Sequence, residues 1–298
     1  MGTSLVVLLP THGRPTLLAR TLDTIAACTR PEGYGGCLVV ENGTPSGAEV
    51  VVSTATEAHP EAGFRYLHHG RANKSAALNA ALATVASDSL CVFFDDDIRV
   101  EPSALMAYAE EARRHPGRDV FFGGPFGIDY EDEPPEWVRQ LLPWSAKGAD
   151  AESICRSNMF MGFNWAVVAS AILDLGGFDP NFGPGSPTGA TGQESNMQNR
   201  LRASGFSAVC VPGALVWHHV PTSRSGFRWA LRRKYKGGLE WGHRLSSPLD
   251  LAVVAKESVG AIGRLAWHGA KRDKARAAVQ VGRLARRFGA IRGYWFHK

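Results

Sequence analysis

The chain is 298 residues long, 44% hydrophobic and 20% charged. That balance buries a substantial core and excludes a disordered or fibrous protein. The net charge of +5 conceals an asymmetry: residues 256–298 carry eleven Lys or Arg against Glu257 and Asp273, while the preceding part carries 22 against 26 and is net −4. An acidic body with a basic tail points to a polyanionic partner without naming it.

No apolar run approaches the roughly 18 residues of a membrane-spanning helix. Leu5-Val6-Val7-Leu8-Leu9 is too short, lacks a basic flank and ends at Pro10, so it is not read as a secretory leader. Cys28, Cys37, Cys91, Cys155 and Cys210 form no CxxC pair and read as small buried apolar residues in a reducing cytosol. The sequons at Asn42 and Asn73 are then chance matches. The expected location is cytoplasmic.

Ser4 to Leu9 reads as a buried strand, followed by the turn Pro10-Thr11-His12-Gly13-Arg14-Pro15. A helix then opens near Thr16, with Leu17, Leu18, Leu22 and Ile25 at helical spacing. A second strand covers Cys37–Val40 and stops at Glu41-Asn42-Gly43; Phe64–Leu67 is a weaker one. Ser75–Val85 reads as helix, Leu90–Phe94 as strand, and residues from about Pro102 to Arg114 as helix. Strand–helix alternation of this kind argues for a mostly parallel sheet flanked by helices. No GxGxxG or GxxxxGK[ST] occurs, so any nucleotide phosphate is held by another device.

Residues 125–165, rich in Pro, Trp and Gly, read as substrate-shaping loops. Val167–Leu175 is expected to be a helix closed by Gly176-Gly177, and Phe178–Gly192 a long functional loop. A helix follows from Gln193 to Leu201, then a strand over Ala208–Val211 and a short element bearing Trp217-His218-His219. From about Ser225 the chain is basic and helical, patterned as an amphipathic helix pair lying on its own body or on a bilayer.

The apolar strand ending in Asp95-Asp96-Asp97 focuses the chemistry. A buried strand delivers its last residues to the crevice where open α/β sheets bind ligands. Three carboxylates there need a cation or basic partner. Either they hold a divalent metal or they form a solvated acidic turn.

Six collinear motifs resemble family 2 glycosyltransferases of the GT-A fold, over about residues 4–235. They are Leu5–Arg14 as strand and nucleotide loop, Glu41-Asn42-Gly43, Asn73-Lys74-Ser75-Ala76-Ala77-Leu78-Asn79, the triplet at the DxD signature, Gly176-Gly177-Phe178-Asp179 with Gly192-Gln193-Glu194, and the late histidine His218. The resemblance implies a GT-A catalytic domain over 1–224, with a nucleotide-sugar half to about 120 and an acceptor half over 121–224. A helical basic extension would cover 225–298.

It further implies an inverting, metal-dependent transfer from a nucleotide-diphosphate sugar, most simply a UDP-sugar, to an acceptor hydroxyl. Glu194 is the expected general base, kept ionised by the dipole of the helix it opens. Asp95 and Asp97, two residues apart on one side of the strand end, would hold the metal with His218, and imidazole favours Mn²⁺ over Mg²⁺. Asp96 would turn toward ribose or a basic partner. Pro10, Thr11, Arg14, Glu41, Arg71 and Lys74 fall to the nucleotide, although each of the basic residues equally suits a solvated surface. Asn164, Trp165 and Gln193 fall to the acceptor or sugar pocket, although a Trp is more often core. Gln193 stands where the family more commonly has an acid. Expected partners are the nucleotide-sugar and a small-molecule, lipid-linked or glycan acceptor, with no nucleic acid; the basic helices either pack on the body or make peripheral membrane contact. Nucleotidyl transfer to a sugar phosphate and non-catalytic polyanion binding are the alternatives.

Overall fold

The computed structural model describes residues 4–117, 119–187, 189–243, 245 and 247–295. In chain order the elements are β1 (Leu5–Thr11), α1 (Pro15–Ala26), β2 (Tyr34–Asn42), α2 (Ala48–Ala58), β3 (Phe64–His69), α3 (Lys74–Leu82), β4 (Leu90–Phe94), β5 (Ile98–Val100), α4 (Ala104–Arg114), β6 (Val120–Gly123) and β7 (Phe126–Tyr130). They continue with α5 (Glu136–Arg139), α6 (Ala151–Ser157), β8 (Asn164–Val168), α7 (Ala169–Leu173), α8 (Gln193–Ala203), β9 (Ser207–Cys210), β10 (Val216–Val220), α9 (Phe227–His243), α10 (Pro248–Ala270) and α11 (Lys274–Trp295).

The chain divides into two compact units, Met1–Gly127 with Ala149–His218 and Ile128–Gly148 with His219–Lys298. The first unit is built on a seven-stranded sheet of order β3-β2-β1-β4-β8-β6-β9. Its β1–β2, β2–β3, β1–β4 and β6–β9 pairings are parallel, while β8 runs antiparallel to both β4 and β6. Every residue of β1 and of β4 is buried. This is what a continuous apolar run buried on both faces of a sheet requires. Helix α1 opens with Pro15 in its first turn, where the missing N–H costs nothing, and buries Leu18, Leu22 and Ile25 at helical spacing. A second sheet has the order β5-β10-β7.

Several elements differ from the sequence reading. Val167 and Val168 end a strand rather than open a helix; β8 turns directly into the short α7. A short apolar run does not distinguish strand from helix by periodicity, and pairing between β4 and β6 decides it here. The segment 125–165, read as loops, contributes β7, α5, α6 and the start of β8. Cys155 and Cys210, read as free thiols, form a disulfide that ties α6 to β9. Their 55-residue separation gave no hint of it. Cys28, Cys37 and Cys91 are free and buried.

In the second unit, among the described residues, three helices rather than a pair follow residue 225. Helices α9 and α11 touch backbone to backbone along glycines. A Cβ on Gly238 would lie 1.9 Å from the Arg286 carbonyl oxygen, and one on Gly289 would lie 2.2 Å from that of Tyr235. Gly242 and Gly293 continue the seam one turn on, against Ala290 and Leu239. Helix α10 opens with a capping box in which Ser247 and Asp250 satisfy each other's backbone N–H groups. Leu249, Val253, Val259, Ile262 and Trp267 lie exposed along α10. Among the described residues no helix is long and apolar enough to cross a membrane.

Candidate active site

Strand β4 ends at Phe94, so Asp95-Asp96-Asp97 occupy the turn into β5. Strand alternation therefore does not sort the three side chains, contrary to the sequence expectation; their basic partners do. Lys74, in the first turn of α3, places Nζ 2.5 Å from Asp95 Oδ1. Arg14 spans the other two, with Nη2 2.5 Å from Asp96 Oδ1 and Nη1 2.6 Å from Asp97 Oδ2. Thr11, the last residue of β1, donates to Asp96 Oδ2 at 2.6 Å.

The two buried acids of the triplet differ. Burial pushes the Asp96 carboxyl up to about 6, with Arg14 opposing. Burial acts the same way on Asp97, but His218 and Arg14 outweigh it and hold that carboxyl below the usual range. His218, on β10, pairs in register with Ile98 and brings Nε2 within 3.7 Å of Asp97 Oδ1. Its ring lies flat on Phe163, with centroids 4.5 Å apart, which fixes the plane of the imidazole.

Glu194 sits in the first turn of α8, after Gly192 in a left-handed conformation. A Cβ on Gly162 would come within 3.2 Å of the Glu194 carboxyl, so only glycine leaves this face of the acid unobstructed. Burial raises the Glu194 carboxyl above its usual range, against its own backbone N–H and Lys74. The helix terminus was expected to dominate; desolvation does instead.

Glu41 is fully buried at the end of β2. Burial would raise its carboxyl, yet hydrogen bonds from Ser46 and Tyr66 hold it low. Ser46 N and Oγ donate to Oε1 at 2.7 and 2.5 Å, and Tyr66 Oη donates to Oε2 at 2.6 Å. Asn42 Nδ2 donates to the Thr11 carbonyl at 2.9 Å, tying the ends of β1 and β2 together. Pro10 precedes Thr11 inside β1, in register with Val40. Arg71 is exposed and has no carboxylate partner among the described residues.

Two expected pocket residues lie in the core instead. Trp165 is 1% exposed and stacks on Phe93 with ring centroids 4.6 Å apart. Asn164 donates to the carbonyls of Pro125 and Ala214 at 2.9 and 2.8 Å and accepts from Tyr108 Oη at 2.8 Å. β8 turns both side chains into packed layers, leaving neither ring nor amide for a ligand. Gln193 is buried, and its Oε1 lacks a hydrogen-bond partner; Gly183, at φ 94°, is where the 178–192 loop crosses it.

That loop is anchored by side chains of the Asn73–Asn79 motif, whose separate roles the sequence did not show. Asn73 caps α3 by accepting from Ala76 N at 2.8 Å, and its amide donates to the carbonyls of Pro180 and Gly185. Ser75 Oγ donates to the Phe182 carbonyl at 2.8 Å. Asn79 Nδ2 donates to the Phe178 carbonyl at 2.8 Å and its Oδ1 accepts from Phe178 N at 2.7 Å. The motif around Lys74 thus serves to hold a loop as well as to supply a cation.

A metal has a partial fit. Asp97 Oδ1 is buried without a hydrogen-bond donor and faces His218 Nε2, an oxygen–imidazole pair acceptable to Mn²⁺. Among the described residues no group of three or more His, Cys, Asp or Glu side chains converges on a metal position. Four of the other five carboxylate oxygens of the triplet are engaged, Asp95 Oδ1 by Lys74, Asp96 Oδ1 and Asp97 Oδ2 by Arg14, and Asp96 Oδ2 by Thr11.

A parallel-dominated sheet with an acidic turn at the end of its central strand, flanked by helices, is a GT-A-like α/β fold. The structure resembles that of the mannosyltransferase PcManGT from Pyrobaculum calidifontis in complex with GDP-Man and Mn²⁺ (TM-score 0.61, 18% identity, all of this chain and 89% of that one). It also resembles GalNAc-T7 with UDP, GalNAc and Mn²⁺ (TM-score 0.54, 13% identity, 73% of this chain and 44% of that one). In sequence, the chain is 27% identical over 244 residues to the succinoglycan biosynthesis protein ExoM of Rhizobium meliloti (strain 1021), covering 79% of this chain and 73% of ExoM. Residues 6–172 match the family described as glycosyl transferase family 2, and the chain belongs to that family. It is a glycosyltransferase.

Proposed function

We propose that the protein transfers a sugar from a nucleotide-diphosphate sugar to an acceptor hydroxyl with inversion at the anomeric carbon, and that Glu194 is the general base. The observation that carries this reading is the position of Glu194. It is an acid with a raised proton affinity, electrostatically linked through Lys74 to the Asp triplet. A base with a pKa lifted toward the working pH accepts the proton of an attacking hydroxyl more effectively than an ordinary carboxylate. Arg14 and Lys74 are the cations for the donor's diphosphate, and Pro10, Thr11, Glu41 and Arg71 line the nucleotide side. Gln193 and the anchored 178–192 loop shape the acceptor side. The catalytic part is assigned to residues 1–224.

Asp97 and His218, with Asp95, would hold a divalent cation, Mn²⁺ in preference to Mg²⁺, which would neutralise the departing diphosphate. Arg14, which holds Asp96 and Asp97, would then be placed to contact the phosphate. A UDP-sugar is the proposed donor; the fold neighbours are recorded with GDP-Man and with UDP.

The test is a panel of UDP- and GDP-sugars with Mn²⁺, measuring nucleoside-diphosphate release and product anomer. Release that stops with a chelator and returns with Mn²⁺ is expected. Release of pyrophosphate instead would replace this reading with nucleotidyl transfer.

A further inference from the structure

The second unit contains a cavity of about 350 Å³ with an unusual lining. Leu141, Pro143 and Ala230 supply apolar walls, Trp241 an aromatic one, and Arg233, Lys234 and Arg286 the polar groups. None of these three cations has a carboxylate partner among the described residues, although Arg and Glu pair elsewhere in the same unit, as Arg287 does with Glu257 at 2.8 Å. Arg286 lies over the Trp241 ring at 5.4 Å. Burial, then Lys147 and Arg286, push the Lys234 ammonium below its usual value. Arg233 and Arg286 are exposed and Lys234 is half-buried, so the like charges bear chiefly on Lys234, and a bound anion would relieve them.

We propose that this cavity is a binding site for a phosphate-bearing ligand, with Arg233, Lys234 and Arg286 as its anion-binding side chains. Two guanidinium groups offer the planar, forked donors that match phosphate oxygens, and Lys234 adds a point charge between the helices that carry them. The apolar walls and Trp241 leave room for whatever organic group the phosphate is attached to. A carboxylate ligand would satisfy fewer of the donors, because a phosphate presents three oxygens at once. The helix contact itself holds the cations together. Gly238, four residues beyond Lys234, abuts the backbone carbonyl of Arg286, so α9 and α11 meet without intervening side chains at the cavity wall. The site uses no residue assigned to sugar transfer and does not depend on that assignment.

Two sources could supply the phosphate, a membrane lipid headgroup or a soluble phosphorylated compound, and the experiment separates them. The full chain is titrated with inorganic pyrophosphate and, separately, sedimented with vesicles of phosphatidylcholine alone or mixed with phosphatidic acid. Lys234→Gln and Arg286→Gln are each expected to weaken pyrophosphate binding at one site by about tenfold or more, the usual effect of losing a charge-assisted hydrogen bond. UDP affinity should be unchanged in both. Arg276→Gln, which removes the same charge from α11 outside the cavity, should bind as the parent does. Sedimentation with phosphatidic acid vesicles that pyrophosphate reverses would identify a lipid phosphate. Pyrophosphate binding without vesicle binding would identify a soluble one. Equal behaviour of Arg286→Gln and Arg276→Gln, or no binding of either probe, would overturn the proposal.

Discussion

Lys74 Nζ lies 2.5 Å from Asp95 Oδ1, at the first turn of α3. A cation is poorly placed at a helix N-terminus. Burial also works to lower the Lys74 ammonium, but Asp95, followed by Glu194 and Asp97, holds it above its usual value. One side chain thus couples the acidic turn after β4 to the acid at the start of α8, two segments about a hundred residues apart in sequence.

Glu194→Gln is expected to abolish transfer while leaving donor affinity within about twofold, since it removes proton acceptance but retains the side-chain volume. Single-turnover transfer and calorimetric donor binding, measured on the same preparation, check this. Wild-type transfer in the variant would remove the base assignment.

The pH profile supplies a second expectation. Because burial raises the Glu194 carboxyl, the acid limb of kcat/KM should fall above the ordinary carboxylate value of about 4.3. Lys74 opposes that rise, so Lys74→Met should move the limb to higher pH as well as lowering the rate. An unmoved limb would mean that Lys74 does not act on Glu194.

Asp96 predicts a change in stability. Its carboxyl is raised to about 6 in the folded chain from 3.8, so the folded state holds a proton that the unfolded state releases. Stability from this group is therefore fully present below about pH 4 and is lost as pH rises through about 6. The full difference corresponds to about 3 kcal/mol. Asp96→Asn should thus gain stability relative to the parent on going from pH 4 to pH 7. Urea unfolding of both proteins at the two pH values measures it, and a relative loss would contradict the burial argument.

Asn79 both donates to and accepts from the backbone of Phe178. Asn79→Ala leaves that buried N–H and C=O unsatisfied and should cost about 1–3 kcal/mol. It should also accelerate proteolysis within residues 178–192. Calorimetric melting and mass-mapped limited digestion test the two parts separately.

Much of this was legible in the amino-acid sequence, for reasons that can be localised. β1 and β4 are apolar runs with abrupt polar ends, and their carboxyl ends carry Thr11 and the Asp triplet. A motif such as Asn73–Asn79 was visible as a unit, but its division of labour was not. Lys74 alone faces the acids, while Asn73, Ser75 and Asn79 reach a loop whose path no local pattern encodes. Trp165 and Asn164 were given to the pocket by resemblance, whereas the pairing of β8 with β4 and β6 turns them into packed layers. Which neighbour a short apolar run pairs with is a tertiary decision. The Cys155–Cys210 bond belongs to the same class, since spacing does not specify a partner. Glu194 shows a different limit: its position could be inferred, but its proton affinity depends on burial by segments distant in sequence.

The glycine seam between α9 and α11 has an evolutionary consequence. Surface cations usually drift freely in position and number. Here the carbonyl of Arg286 is itself the surface against which Gly238 rests. Any side chain added at Gly238, Gly242, Gly289 or Gly293 would force the two helices apart and alter the spacing of Lys234 and Arg286 without touching either charge. In related chains, these four positions should therefore tolerate less variation than the basic residues whose spacing they govern.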